Sequence, residues 1–147
     1  QVVISGATEA LERAMVLAKE KGAKRAAKLP VSVPCHCSLL QPAGEKLANA
    51  MSQLAFSEPM IPIMQNVNAE MALDLDDLKV NLLAHLHKPV LWSQSISNLV
   101  EAGAGTFIEC GPGKVLAGLN KRIDKSVKTM AMSEMAGLEQ VKSELSA

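Results

Sequence analysis

Thr106-Phe107-Ile108-Glu109-Cys110-Gly111-Pro112-Gly113-Lys114, continued by Val115 to Ile123 and then by Val127 to Met132, decides the fold class. A short apolar run ending in Gly-Pro-Gly reads as a strand closed by a turn. From Lys114 to Ile123 the apolar residues return at helical spacing, and a second strand is expected near Val127 to Met132. Strands alternating with helices of this length imply an α/β sheet with substantial parallel pairing. Downstream, a last helix is expected from about Glu134.

Upstream the alternation continues. Asp74 to Leu86 repeats leucine at 75, 78, 82 and 86, and Lys88-Pro89 should end that helix, because proline offers no backbone donor. Another helix begins near Val90 and carries Trp92, Ile96 and Leu99. From Ser38 to Leu54, Leu40, Ala43, Leu47, Met51 and Leu54 recur at helical spacing, with Pro42 tolerable in the first turn. Pro59 to Met64 is a short apolar segment expected to be a strand, and Asn66-Val67-Asn68 ends it in a loop. At the start, Gln1 to Ser5 reads as a strand and Gly6 turns it into a helix that runs to about Gly22, with Leu11, Met15 and Ala18 on one face. Lys24 to Val33 then reads as extended, giving β-α-β. A chain that opens in a strand without an initiator Met leads to the expectation of a missing upstream part.

Composition narrows the classes of function. With 147 residues and 48% hydrophobic content, the chain is long enough for one domain with a core. Fifteen Lys and Arg balance fifteen Asp and Glu, and the aromatics are Phe56, Trp92 and Phe107. Nucleic-acid binding, which needs a positive field and usually stacking rings, is therefore not expected. No apolar run approaches the length of a membrane span, so no membrane partner is expected. Three cysteines, with Cys35 and Cys37 too close for an ordinary bridge, fit free thiols in a reducing compartment, and a cytoplasmic location is expected. Eight methionines read as core filling.

The segment Pro30-Val31-Ser32-Val33-Pro34-Cys35-His36-Cys37 sets a histidine on what reads as a proline-bracketed strand end. An imidazole held in a fixed direction can act as an acid or base near neutral pH. No Gly-x-Ser-x-Gly accompanies it, so these residues read as half of an active site. Alternation along a strand would send His36 to the face opposite Cys35 and Cys37, and no other ligand spacing is present, so no metal is expected. His85 and His87, two apart at a helix end, do not share a face. Gly111-Pro112-Gly113-Lys114 lacks the Walker spacing and reads as a tight strand-to-helix turn, although the helix start after it remains open to an anionic group.

Six pieces in order resemble the bacterial malonyl-CoA:acyl carrier protein transacylases. They are Gln1-Val2-Val3-Ile4-Ser5-Gly6, Gly22-Ala23-Lys24-Arg25, Val31-Ser32-Val33-Pro34-Cys35-His36, Asn66-Val67, Pro89-Val90 with Trp92, and Glu109-Cys110-Gly111-Pro112-Gly113-Lys114-Val115-Leu116. Family members run to about twice this length, and the resemblance implies that these residues form the C-terminal half. It implies the C-terminal part of an α/β-hydrolase-like acyltransferase domain over 30–147, with residues 1–29 a β-α-β remnant of a ferredoxin-like small subdomain.

The resemblance also implies a Ser-His dyad that transfers malonyl from malonyl-CoA to the phosphopantetheine thiol of acyl carrier protein by a ping-pong route. His36 matches the catalytic histidine. The backbone carbonyl that orients the imidazole falls at His85, where family members commonly have Gln, and a second imidazole there can alter the titration of His36. Cys35 replaces the more usual Ser. The nucleophilic serine, the arginine for the malonyl carboxylate and the oxyanion-hole glutamine belong to the other half, so the isolated chain is expected to be inactive. Its implied partners are the missing N-terminal half and acyl carrier protein; malonyl-CoA and the phosphopantetheinylated carrier are substrates, and no cofactor is implied. Lys114, Lys121, Arg122, Lys125 and Lys128 suit either a solvated helix face or contact with an acidic carrier. Two other readings stand beside this one: a non-catalytic interaction fragment, and an acyltransferase domain of a polyketide synthase.

Overall fold

The structure is a computed structural model that describes residues 1–146. Ala147, the last residue of the expected larger subdomain, lies outside the described residues. The chain divides into two compact units. One comprises Gln1–Val67 and Met71–Val90, and the other comprises Asn68–Glu70 and the chain from Leu91 onward.

In the first unit the helices are α1 (Thr8–Glu20), α2 (Gln41–Met51) and α3 (Leu75–Ala84). α1 stops where its sequence says it should. Gly22 takes a φ of 90°, its N–H donates to the Lys19 carbonyl, and the Ala23 N–H donates to the Ala18 carbonyl, the paired bonds of a glycine-closed helix end. α2 is preceded by a 3₁₀ turn over Ser38–Leu40, and Pro42 occupies its first turn, where the missing N–H costs nothing. α3 is capped by Asp74, whose Oδ1 accepts from the Asp77 N–H at 2.8 Å, while Asp77 Oδ2 accepts from the Leu73 N–H at 3.1 Å. α2 and α3 pack together, burying Gly44, Met51 and Ala84.

Three expected strands of this unit do not form. Neither Gln1–Ser5 nor 24–33 pairs with any described residue, so the β-α-β pattern is absent there. From 59–64, Met64 alone pairs, in an isolated antiparallel bridge to Met71. The physical reason is that a strand exists through its ladder partner, and among the described residues these segments meet none beyond the single Met64–Met71 bridge. Prolines add to this. Val31 N–H donates to the Leu29 carbonyl at 2.8 Å, and Cys35 N–H to the Val33 carbonyl at 2.9 Å. Pro30 and Pro34 are the middle residues of these three-residue turns, a position their fixed φ suits. His36 therefore sits in a succession of tight turns, not at a strand end.

The second unit carries the expected α/β unit. α4 (Trp92–Glu101) is followed by β1 (Thr106–Glu109), α5 (Val115–Ile123), β2 (Lys128–Ala131) and α6 (Met135–Leu145). β1 and β2 pair in parallel, with Thr106 opposite Lys128 and Glu109 opposite Ala131. α4 ends on Gly103, at a φ of 98°, with the Ala104 N–H donating to the Leu99 carbonyl. Ile96, Val127, Met130 and Val141 form the core of the unit. Each contributes about 1.5–3 kcal/mol by leaving water. The Trp92 indole N–H donates to Asn120 Oδ1 at 3.0 Å, tying α4 to α5.

Candidate functional site

His36 is brought to the C-terminal end of α3 by two hydrogen bonds. Its backbone N–H donates to the Leu86 carbonyl at 2.8 Å, and its ring Nδ1 lies 2.8 Å from the His85 carbonyl oxygen. A carbonyl can only accept, so Nδ1 carries the proton and donates. In the neutral ring Nε2 is then left as the free acceptor. The backbone of His36 is left-handed, with a φ of 64°, which is uncommon for any residue with a side chain. His36 is exposed.

His85 caps α3, and its half-buried ring lies 4.9 Å from that of His36, centroid to centroid, tilted by 43°. Burial, and secondarily the charge His36 can carry, hold its pKa below the ordinary imidazole value. His85 Nε2 and His87 Nδ1 are buried and have no hydrogen-bond partner among the described residues. The structure thus brings together His36 and His85. The cysteines beside His36 are free thiols; Cys37 Sγ donates to the Pro34 carbonyl at 3.2 Å, and the Cys35 carbonyl accepts from the Ser5 hydroxyl. The latter bond fastens the segment before α1 to the turn that carries His36.

Other singled-out residues have structural occupations. Glu109, at the end of β1, accepts from the Ala117 N–H at 2.8 Å. One donor of the α5 start, left open to an anion by sequence reasoning, is therefore taken by the chain's own carboxylate. Trp92 of the Pro-Val-x-Trp piece anchors the second unit through Asn120. Among the basic residues of that unit, Lys128 pairs with Glu144, and Lys114, Lys121, Arg122 and Lys125 are exposed. Among the described residues no three His, Cys, Asp or Glu side chains are grouped to hold a metal ion, and no helix is long and apolar enough to cross a membrane.

The Leu86 contact and the left-handed backbone at His36 were not foreseen. The signal for the second was present, since histidine is among the few side chains enriched at positive φ.

A malonyl CoA-acyl carrier protein transacylase of Salmonella typhimurium is 44% identical to this chain over 138 residues, 94% of the chain and 45% of that protein. The crystal structure of a malonyl-CoA:acyl carrier protein transacylase from Xanthomonas oryzae matches it with a TM-score of 0.91 at 37% identity. The chain is homologous to the malonyl CoA-acyl carrier protein transacylases. It spans about half the length of those relatives: the Xanthomonas match covers 95% of this chain and 44% of that one. A transacylase solved in complex with a type II PKS acyl-carrier protein matches equally well, with a TM-score of 0.91 at 37% identity over 95% of this chain and 45% of that one. No protein-family model matches the chain. The α/β architecture is that of the transacylase structures.

Proposed function

We propose that this chain is the C-terminal half of a malonyl-CoA:acyl carrier protein transacylase and that His36 is its general base. The observation that carries the reading is the 2.8 Å contact between His36 Nδ1 and the His85 carbonyl. With the Nδ1 proton engaged, Nε2 is the nitrogen that takes a proton from a serine hydroxyl supplied by the other half. The serine oxygen attacks the malonyl thioester carbonyl, and the imidazolium returns its proton to the departing CoA thiolate. In the second half-reaction Nε2 takes the proton of the carrier's phosphopantetheine thiol, whose sulfur attacks the malonyl-serine ester. The serine leaves with the proton, and the dyad is restored.

On this reading residues 1–29 belong to a ferredoxin-like small subdomain and 30–147 to the larger α/β subdomain. The unpaired segments at Gln1–Ser5 and 24–33 become strands when the N-terminal half supplies their partners. Val2, Val3, Val31 and Val33 are exposed here, as such a surface requires. The chain alone is inactive, because the nucleophile, the carboxylate-binding arginine and the oxyanion-hole glutamine lie outside it. The second partner is acyl carrier protein, a reading favoured by the transacylase solved with such a carrier. The location is cytoplasmic.

A chimera tests the assignment. This chain replaces the homologous 45% of the Salmonella typhimurium transacylase, and malonyl transfer to acyl carrier protein is measured. Transfer that disappears with His36→Ala is the expected result. A folded chimera without transfer, or one whose transfer survives His36→Ala, would overturn the reading.

A further inference from the structure

Past His85 the last turn of α3 tightens: the Leu86 N–H donates to the Leu83 carbonyl at 3.4 Å and the His87 N–H to the Ala84 carbonyl at 3.1 Å, before the four-residue spacing returns once more. The Lys88 N–H donates to the Ala84 carbonyl at 2.9 Å, the same four-residue spacing as inside the helix. The next bond in the series would run from residue 89 to the His85 carbonyl. Residue 89 is proline, which has no N–H and whose ring would collide with that carbonyl if the helix continued. The carbonyl denied a donor by Pro89 is the one that accepts from His36 Nδ1 at 2.8 Å. The carbonyl after it, Leu86, accepts from the His36 backbone N–H. Helix ends carry unpaired carbonyls that need donors, and here both bonds come from one residue.

We propose that Pro89 is a positioning residue for His36: by offering no N–H four residues after His85 it leaves the His85 carbonyl to the histidine ring, beside the Leu86 carbonyl that accepts from the histidine backbone, and this fixes the ring tautomer and supports the left-handed backbone. Each bond alone leaves freedom. The side-chain bond leaves the backbone free to swing, and the backbone bond leaves the ring free to rotate. Together they hold the ring from both ends, and the φ of 64° is the conformation in which both are made. With alanine at 89, a backbone N–H competes for the His85 carbonyl, α3 gains the bond it lacks, and the Nδ1–H form of His36 loses its acceptor.

The inference takes from the proposed function only that Nε2 of His36 is the working atom, and its readout does not depend on catalysis. The ¹⁵N chemical shifts of the His36 ring report the tautomer in the neutral form, and hydrogen exchange of the His36 amide reports the bond to Leu86. In the unsubstituted chain the Nδ1–H tautomer should dominate and the amide should be protected. In Pro89→Ala the ratio of Nδ1–H to Nε2–H should fall about fivefold, the weight of one ordinary neutral hydrogen bond, with faster amide exchange. Asp74→Ala, which weakens α3 from its other end by removing its cap, and Lys88→Ala, beside the proline, should leave the ratio in place. An unchanged ratio in Pro89→Ala, or an equal fall in Asp74→Ala, would overturn the proposal. So would a mixed tautomer in the unsubstituted chain, a result that needs no variant to fold. The expected tautomer with no transfer in the chimera would remove the base assignment and leave the positioning intact.

Discussion

Replacing Asn120 by alanine should destabilise the second unit by about 2 kcal/mol, through one hydrogen bond. Asn120 is 5% exposed on α5, and its Oδ1 accepts from the Trp92 indole N–H at 3.0 Å across 28 residues of sequence. The bond itself is worth about 1 kcal/mol net, and a half-buried indole N–H left without a partner adds a penalty of about 1 kcal/mol or more. For a chain of this size such a loss lowers the thermal midpoint by about 4–8 °C. Trp92→Phe removes the donor instead and strands the Asn120 oxygen. If the pair acts as one unit, the double variant costs less than the two single variants together, by about 1 kcal/mol or more. The assay is urea unfolding of the four proteins, followed by far-ultraviolet circular dichroism because the variants change the indole. Strictly additive costs, or an Asn120→Ala variant within about 0.5 kcal/mol of the parent, would refute the reasoning.

Three further outcomes are expected. His85 has a pKa below its ordinary value in the folded chain. The unfolded chain therefore takes up this proton first as pH falls, and the stability present above about pH 6.5 is lost progressively toward the folded pKa. His85→Gln should flatten the fall of the urea midpoint between about pH 7 and 5; an unchanged slope would contradict it. Gly137 in α6 lies so close to β2 that a Cβ would run into the Ala131 carbonyl, so Gly137→Ala should cost about 2 kcal/mol or more by urea unfolding. Glu109→Gln weakens the acceptor at the α5 start, and should speed hydrogen exchange at the Ala117 amide while leaving the Gly22 amide of α1 as it was.

Helices were the legible part of this sequence. The leucines of 75, 78 and 82, Pro42 in a first turn and Gly22 as a stop are local signals, and local signals suffice for a helix, whose bonds close within four residues. The strand–turn–helix–strand run from Thr106 was legible because its two strands find each other within the chain. Gln1–Ser5, 24–33 and 59–64 also read as extended, but a strand is a property of a pair, and a sequence pattern cannot report whether a partner is present. His36 was legible as a candidate from its residue type and setting. Its contact with the His85 carbonyl was implied by the family resemblance alone, since no spacing rule links residues 49 apart. The Leu86 bond and the left-handed backbone come from how α3 ends, and Pro89, read in the sequence as a helix stop, acquires its larger consequence only when the carbonyl it frees is seen beside His36. The Trp92 and Asn120 clasp was hidden for the same reason, an asparagine among apolar helix positions being a signal without an address.

Malonyl transfer from malonyl-CoA to acyl carrier protein by a two-chain mixture tests the central claim most directly. This chain is assayed alone, then with a separately produced N-terminal half carrying the serine, then with His36→Ala in place of the parent. The account predicts transfer in the mixture alone, abolished by the substitution. Transfer by the isolated chain, or transfer in the mixture that survives His36→Ala, would contradict it.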